Sequence, residues 1–339
     1  MDKKDEIIAQ QTEIIRSMTE QNLRRVGADL WSGMPAQPHT GKDAPAKAAS
    51  QEPPVKKGEE TDAPQREDIE ALQKELDGYI GLDNIKKEVR SLINIAQVYQ
   101  KRKENDLPTA DMSLHMVFSG NPGTGKTMIA RLMARVYHSL GILSKGQLVE
   151  VDRSGLVAGY VGQTAIKTSK VLEKAAGGVL FVDEAYTLIS GSENDFGQEA
   201  VDTILKAMED NRDDLIVIVA GYTDLMYDFI ESNPGLRSRF NRYLEFTDYT
   251  PEEMLEIFRG NCKKSSYKPD EAAQNKLLEY FREMAAAQRR TFGNARGVRN
   301  VFERILSCQA NRLAGLETVT KEDLMQILEQ DVAAAVEDA

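Results

Sequence analysis

The chain has 339 residues, which is long enough for roughly two or three domains around a sizeable core. Acidic residues outnumber basic ones by 54 to 43, and the net charge is -11. This balance argues against nucleic acid as a partner, because phosphates would demand a basic face. The two cysteines and three histidines lack the spacing of a disulfide framework or a zinc site. No apolar run approaches the ~18 residues that a membrane span needs, so we expect a cytoplasmic protein without a membrane partner.

Composition divides the chain into four parts. Residues 1-31 repeat apolar side chains at intervals of about three, four and seven, which predicts an amphipathic N-terminal helix. Residues 32-67 contain six of the eleven prolines and predict a disordered linker. Strand and helix patterns alternate over residues 68-248, whereas residues 249-335 show only helical patterns. We therefore expect a large α/β domain followed by a small helical domain.

The stretch from residue 114 to 127, LHMVFSGNPGTGKT, predicts a buried strand that leads into a phosphate-binding loop. It contains the pattern G-x-x-x-x-G-K-[ST], in which backbone N–H groups and the start of a helix face phosphate oxygens. A plain glycine-rich turn is the alternative, and the lysine, the hydroxyl and the preceding apolar strand count against it. Lys126 would reach the β- and γ-phosphates, and Thr127 would bind Mg²⁺. The predicted nucleotide-binding residues are Gly120, Asn121, Pro122, Gly123, Thr124, Gly125, Lys126, Thr127 and Met128.

Strands alternate with helices after this loop, which predicts a doubly wound parallel α/β sheet. Beyond residue 247 the pattern is helical, and Thr250 with Glu253 and Thr320 with Asp323 have the spacing of capping boxes. The predicted strands after the loop are 147–151, 179–182 and 215–221, and the predicted helices are 68–76, 82–103, 128–140, 164–176, 197–209, 251–261, 270–287, 295–313 and 320–332.

Two carboxylates follow the apolar run 179–182 about 55 residues after the phosphate loop. At the carboxyl end of a strand, Asp183 would hold Mg²⁺, and Glu184 would orient and deprotonate an attacking water. A buried strand that ends in a polar turn is the alternative, and it would be preferred if the phosphate loop were absent. The pair therefore predicts ATP hydrolysis as well as binding.

With these motifs the chain resembles the AAA+ ATPases. The stretches SGNPGTGKT, GGVLFVDEAYTL, GQEAVDTILKAMEDNRDDLIVIVAGY and NPGLRSRF resemble the branch that contains stage V sporulation protein K and the red-type, CbbX-like Rubisco activases. The resemblance covers about residues 69 to 331. It implies a P-loop NTPase fold with a helical lid, ATP and Mg²⁺ as cofactors, and a ring, usually a hexamer, in which a neighbour completes each site.

The resemblance also assigns roles to arginines. Arg239 matches the arginine finger that acts on the neighbouring subunit, where a guanidinium would stabilise charge on the transferring phosphoryl group. Arg237 is the second choice, and a pair of surface salt-bridge arginines is the structural alternative. Arg296 matches the sensor arginine of the helical lid, which contacts ATP of its own subunit. Arg299 is close enough in sequence to be mistaken for it.

Two further segments can be compared with the family, and the second departs from its pattern. The segment 77–82, DGYIGL, resembles the one that encloses adenine, through Ile80 and Gly81, although a helix-linking turn would explain them equally well. A polar first sensor is missing after the run 215–220, where Gly221 and Tyr222 precede Thr223, so whether Thr223 or a backbone group serves is open.

Tyr160 and Val161 lie between two glycines where the family carries an aromatic pore loop. A mobile, exposed tyrosine can hold an extended polypeptide through side-chain packing, whereas a tyrosine buried against its own domain is the alternative.

Three function classes follow from these features. The first is a ring-forming ATPase that remodels a protein substrate or threads part of it through a pore. The second is a nucleotide-dependent assembly switch or scaffold, against which Glu184 argues, because a binding module can do without it. The third is a nucleic-acid loader, against which the acidic balance and the tyrosine loop argue. No residue identifies the substrate, and none indicates whether a sugar bisphosphate regulates the protein.

Overall fold

The computed structural model describes residues 66–108, 113–160, 162–189, 196–287 and 292–337. The helix predicted over residues 1-31 and nearly all of the linker predicted over 32-67 lie outside these ranges. Within the described residues, no helix is long and apolar enough to cross a membrane.

Five parallel strands form the central sheet: β1 (Met116–Gly120), β2 (Leu148–Val151), β3 (Val179–Val182), β4 (Ile216–Gly221) and β5 (Arg242–Phe246). Their order is β2-β3-β4-β1-β5, and every neighbouring pair is parallel. All residues of β1, β3 and β4 are buried, which explains their continuous apolar sequences. The predicted doubly wound α/β fold is therefore confirmed.

Strand β5 was not predicted from the sequence. It lies at an edge of the sheet beside β1, and its burial alternates between exposed and buried positions. Its sequence RYLEF therefore lacks the continuous apolar run that marks the inner strands.

Helices cover both faces of the sheet. Successive strand residues point to opposite faces of the sheet and pack into two separate hydrophobic cores. Phe118 belongs to the core that contains the helix after the phosphate loop, and Val117 belongs to the core that contains the helix from residue 197 to 210. A short 3-10 helix, Ala185–Ile189, follows β3 directly. The α-helices are α1 (Ile69–Asp77), α2 (Asp83–Glu104), α3 (Lys126–Ser139), α4 (Arg153–Leu156), α5 (Gln163–Ala175), α6 (Gly197–Asp210), α7 (Thr223–Glu231) and α8 (Pro234–Arg239).

A helical lid follows β5. Both predicted capping boxes are confirmed. The Thr250 and Thr320 hydroxyls each accept a hydrogen bond from the backbone N–H three residues later, and the backbone N–H of each threonine donates to the carboxylate of that residue. The lid consists of α9 (Pro251–Lys264), β6 (Lys268–Pro269), α10 (Glu271–Ala287), α11 (Asn294–Ala314), α12 (Lys321–Met325), β7 (Gln326–Ile327) and α13 (Glu329–Glu337).

The prediction of one helix over 320–332 was wrong. The chain leaves the helix at Gln326, whose backbone is extended, and β7 pairs in parallel with β6. The Asp331 carboxylate then accepts the Leu328 N–H at 2.9 Å and starts α13. It is also paired with the Arg312 guanidinium at 2.8 Å. Tertiary pairing thus overrides the local helical pattern.

Candidate functional site

A cleft of about 350 Å³ lies at the carboxyl ends of β1, β3 and β4, beneath the first turn of α11. This is the edge of a parallel sheet at which ligands bind in open α/β folds. Ten of the predicted site residues line it: Gly120, Pro122, Gly123, Gly125, Lys126, Thr127, Met128, Asp183, Glu184 and Arg296. Four residues that were not predicted as site residues complete the lining: Gly221, Tyr222, Ala295 and Arg299.

The phosphate loop leaves β1 through a position that only glycine can occupy. Gly120 has φ +144°, and a Cβ there would lie 2.3 Å from the Phe246 carbonyl oxygen on β5. Any side chain would separate β1 from β5 at the point where the loop begins. The loop ends at Gly125, with φ +98°, after which α3 starts at Lys126, two residues before the start of the helix predicted over 128–140.

Backbone donors in the loop are available for a ligand. Within the described residues, the N–H groups of Gly123, Thr124 and Gly125 donate to no protein atom. The Thr124 hydroxyl is instead turned back onto the Asn121 carbonyl oxygen at 2.8 Å. Free N–H groups beside a helix N-terminus form an anion site. The loop therefore fits the phosphates of a nucleotide.

Lys126 lies inside this loop. Its ammonium donates to the carbonyl oxygens of Gly120 at 2.7 Å and Asn121 at 2.8 Å. Burial lowers the pKa of Lys126, while the Asp183 carboxylate acts in the opposite direction. The side chain is thus held by carbonyl dipoles and lies near the acidic pair, where it can exchange a carbonyl for a phosphate oxygen.

Asp183 and Glu184 follow β3 into the same cleft. Glu184 has φ +48°, a left-handed conformation that a non-glycine residue rarely adopts. The Asp183 carboxylate accepts the Glu184 N–H at 3.0 Å, and the Thr187 N–H and hydroxyl both donate to the Glu184 carbonyl oxygen. These bonds hold the strained turn and leave the exposed Glu184 carboxylate facing the cleft.

Two arginines from the first turns of α11 face this acidic pair. Arg296 lines the cleft and lies close enough to Lys126 to lower its pKa, and its contact with ATP stays a prediction. Arg299, one turn later, lines the cleft as well. Arg299 was not among the predicted site residues, although a spacing of three residues on a helix places both side chains on one face.

The residues that follow β4 divide between two cavities. Gly221 and Tyr222 line the phosphate cleft, whereas Thr223 begins α7 and lines a neighbouring cavity instead. The rings of Tyr222 and Tyr186 lie 6.1 Å apart. Of the alternatives left open by the sequence, Thr223 is thus absent from the lining of the phosphate cleft.

The segment with Ile80 and Gly81 lies beside the phosphate loop but does not line the cleft. A Cβ on Gly81 would meet the Glu253 carboxylate at 2.4 Å and the Tyr249 ring at 3.3 Å. The Tyr249 hydroxyl in turn donates to the Thr124 carbonyl oxygen at 3.4 Å. The segment therefore joins the lid to the loop, and its contact with adenine stays a prediction.

Tyr160 lies away from the cleft, between α4 and α5, and its side chain is 73% exposed. The alternative of a tyrosine buried against its own domain is therefore wrong. Val161 falls outside the described residues.

Arg237 and Arg239 also lie outside the cleft. Arg239 pairs with Glu209 at 3.2 Å and its side chain is 30% exposed, whereas Arg237 pairs with Glu231 at 3.2 Å and is 70% exposed. The Ser113 hydroxyl donates to the Arg239 carbonyl oxygen, which places Arg239 near the amino end of β1. Neither arginine lines the chain's own phosphate cleft, so an action on phosphate would require a neighbour.

Two family profiles match the chain. The ATPase family associated with various cellular activities (AAA) matches residues 116–248, and the AAA lid domain matches residues 250–339. With the loop, the acidic pair and the lid arginines arranged around one cleft, the chain belongs to the AAA+ ATPases and is an ATP hydrolase.

Curated relatives narrow this to the branch inferred from the motifs. Stage V sporulation protein K of Bacillus subtilis (strain 168) is 40% identical over 266 residues, which are 78% of this chain and 83% of that protein. Protein CbbX of Cereibacter sphaeroides is 43% identical, covering 80% and 87% of the two chains. The chloroplastic ribulose bisphosphate carboxylase/oxygenase activase of Cyanidioschyzon merolae (strain NIES-3377 / 10D) is 42% identical, covering 79% and 90%.

Solved structures with similar folds are more distant in sequence. The AAA domain of FIGL-1 aligns with a TM-score of 0.56 at 18% identity and covers 78% of this chain and 83% of that chain. The RuvB Holliday junction branch migration motor of Thermotoga maritima aligns with a TM-score of 0.51 at 20% identity, with coverage of 78% and 71%. At these identities the likeness concerns the fold alone.

Proposed function

We propose that this ATPase forms a hexameric ring and uses ATP hydrolysis to remodel a protein substrate or to thread part of it past Tyr160. The observation that carries the proposal is the exposure of Tyr160, 73%, at the tip of a loop that protrudes from a firmly held base. A large aromatic side chain at such a tip offers apolar contact area to an extended polypeptide without reading its sequence.

The base of the loop is held by three side chains of α5. The Lys167 ammonium donates to the carbonyl oxygens of Ser154 at 2.6 Å and Val157 at 2.9 Å. The Thr168 hydroxyl donates to the Leu156 carbonyl oxygen, and the Thr164 hydroxyl accepts the Ala158 N–H. These bonds fix the chain up to the residue before Gly159.

The tip is less restrained: among the described residues it carries one backbone bond, from the Gln163 N–H to the Tyr160 carbonyl oxygen at 3.2 Å. A Cβ built on Gly159 or Gly162 would meet no atom within 4 Å, and Gly162 has φ +76°. The two glycines thus provide backbone freedom on either side of Tyr160. A firm base with a less restrained tip is suited to transmitting movement of the domain to a bound polypeptide.

A hydrogen-bonded path joins this base to the acidic pair. The Arg153 guanidinium, on the helix below the loop, donates to the Thr187 carbonyl oxygen at 2.5 Å. Thr187 donates to the carbonyl oxygen of Glu184 through its N–H at 2.9 Å and its hydroxyl at 2.7 Å. A change at Glu184 during the ATP cycle would therefore reach the loop through hydrogen bonds rather than through loose chain.

In the chemical step, the chain's residues would act as follows. Thr127 and Asp183 would hold Mg²⁺, which neutralises charge on the phosphates. Within the described residues no group of three or more His, Cys, Asp or Glu could hold a metal ion. Glu184 would orient and deprotonate the attacking water, and Lys126 and Arg296 would bind phosphate oxygens. Arg239 of a neighbouring subunit would complete the site.

The substrate is a protein whose identity the relatives do not decide. One relative is named for stage V of sporulation and another for activation of ribulose bisphosphate carboxylase/oxygenase. Both names fit an ATPase that changes the state of a protein partner. We therefore propose the class, a protein substrate, and leave its identity to a trapping experiment.

The experiment uses Glu184→Gln with ATP in a lysate of the source organism, followed by identification of the proteins that copurify with the ring. The comparison is the same trap with Tyr160→Ala, and the matched control is Tyr227→Ala, because Tyr227 on α7 is 68% exposed but distant in sequence from the loop. We expect one protein to be retained by the trap and the Tyr227 control and lost with Tyr160→Ala.

Two other outcomes would redirect the proposal. Intact rings that retain no protein, or retain the same protein with Tyr160→Ala, would favour a nucleotide-dependent assembly switch. ATP turnover that DNA stimulates and protein does not would favour a nucleic-acid loader.

A further inference from the structure

The first residue of α11, Asn294, has an unusual environment. It is 1% exposed and has φ +52°, directly after Gly293 with φ +80°. Asparagine tolerates this left-handed conformation better than most residues. The conformation directs its side chain amide away from solvent and into the junction between the lid and the phosphate loop.

The side chain of Asn294 forms three hydrogen bonds there. Its Nδ2 donates to the Pro122 carbonyl oxygen at 3.2 Å and to Asp248 Oδ1 at 2.8 Å, and its Oδ1 accepts the Tyr249 N–H at 3.0 Å. Asp248 also accepts Asn121 Nδ2, with both carboxylate oxygens at 2.9 Å. Asp248 therefore orients two amides at once, one from the loop and one from the lid.

The backbone of α11 reaches the loop as well. The Ala295 N–H donates to the Gly123 carbonyl oxygen at 3.1 Å. Gly123 has φ +73°, and a Cβ there would lie 2.2 Å from the Gly293 carbonyl oxygen. The lid thus lies against the loop with no room for a side chain between them.

These contacts determine which way the loop N–H groups face. The peptide bonds of the described chain are trans, so the carbonyl and the N–H of one peptide plane point in opposite directions. The Pro122 carbonyl shares its plane with the Gly123 N–H, and the Gly123 carbonyl shares its plane with the Thr124 N–H. Because the lid binds both carbonyls, both N–H groups are turned away from the lid, and within the described residues neither donates to the protein.

We propose that Asn294, oriented by Asp248, is a positioning residue for nucleotide binding. With the Ala295 N–H it holds two peptide planes of the phosphate loop so that the Gly123 and Thr124 N–H groups face the phosphates. The lid therefore shapes the loop directly, in addition to any contact that Arg296 makes with the nucleotide. Donors aligned in advance bind an anion without the cost of ordering them on binding.

The test measures ADP binding by titration calorimetry, because ADP carries the phosphates that the loop holds and needs no turnover. Asn294→Gly removes the amide and keeps the left-handed backbone unstrained. We expect its affinity for ADP and for ATP to fall by the same factor, roughly tenfold, as expected when a hydrogen bond that preorganises a charged site is lost. ADP affinity within twofold of the wild type would overturn the proposal.

A double variant separates loop positioning from packing of the lid. The double variant combines Asn294→Asp with Asp248→Asn. The carboxylate at position 294 accepts the Tyr249 N–H and the amide N–H of position 248, and the amide oxygen of position 248 accepts Asn121 Nδ2. No side-chain donor then reaches the Pro122 carbonyl oxygen. We expect this variant to melt within a few degrees of the wild type and still to bind ADP roughly tenfold more weakly. Recovery of wild-type ADP affinity in the double variant would show that Asn294 serves only the packing and would overturn the proposal.

Discussion

His115 Nδ1 accepts a hydrogen bond from the backbone N–H of Val217 at 3.0 Å. The imidazole lies just before β1 and takes the place of a carbonyl acceptor for β4. Because Nδ1 is the acceptor, the proton of the neutral ring is on Nε2. Burial, assisted by the charge of Arg239, lowers the pKa of His115 to about 4.

This pKa gives the fold a dependence on acid. Between pH 6.5 and about 4 the unfolded chain binds a proton at His115 that the folded chain does not, so stability falls as the pH falls through this window and the loss levels off below it. The loss attributable to His115 is on the order of 3 kcal/mol. His115→Gln, which can accept the Val217 N–H and does not titrate, should lose less stability in urea unfolding between pH 7.5 and 4.5. An equal loss in both proteins would contradict the assignment.

Removal of the two central groups of the cleft should separate binding from hydrolysis. Lys126→Ala should abolish ATP binding, because the ammonium would face the phosphates. Glu184→Gln should bind ATP and reduce turnover by about 100-fold or more, the usual contribution of a general base. Binding of a fluorescent ATP analogue and phosphate release measure the two effects. Equal turnover by Glu184→Gln and wild type would refute the role of Glu184.

Arg239→Ala should bind ATP and lose hydrolysis, since its guanidinium would act on a neighbour's phosphates. Mixed with Glu184→Gln, it should regain activity, because some interfaces would combine an intact Glu184 with an intact arginine. Phosphate release across a series of mixing ratios checks this. Glu209→Gln controls for loss of the ion pair with Arg239. If mixtures of Glu184→Gln with Arg237→Ala regain ATP hydrolysis and mixtures with Arg239→Ala do not, Arg237 is the arginine finger.

Arg153→Gln should uncouple the tyrosine loop from the nucleotide. Chymotrypsin cleaves after exposed tyrosines, so the rate of cleavage at Tyr160 reports on the loop. In the Glu184→Gln background we expect ATP to change this rate severalfold, and we expect Arg153→Gln to remove the change by breaking the bond to Thr187. Lys167→Gln is the matched control, because it loosens the same segment without touching the 3-10 helix. A nucleotide response that survives Arg153→Gln would rule out this path.

The sequence predicted the parts of the fold in which local pattern and burial agree. Inner strands have continuous apolar runs, and the phosphate loop and acidic pair have fixed spacings, so β1, β3, β4 and the residues at their carboxyl ends were found. Strand β5 was missed because one of its sides is exposed. The break at Gln326 was missed because its cause is pairing with Lys268, which is distant in sequence.

Contacts between separate motifs could not be predicted from the sequence, because they too join residues that are distant in sequence. Asn294 and Asp248 belong to no phosphate-binding pattern, and each has ordinary local interpretations, the start of a helix and the end of a strand. Asn294 is connected to Asn121 through Asp248 only once the lid is folded against the loop. Arg299 could have been predicted, because a spacing of three residues from Arg296 already places the two on one helical face.

Helix α11 has 21 residues and is therefore about 32 Å long. Its first turn is bonded to the phosphate loop, and Arg312 near its other end binds Asp331 of α13. If the helix pivots at Asn294 by about ten degrees, its far end moves by about 6 Å, from its length alone. The helix is thus a lever, and a sub-ångström adjustment beside the nucleotide is magnified at the end of the lid farthest from it.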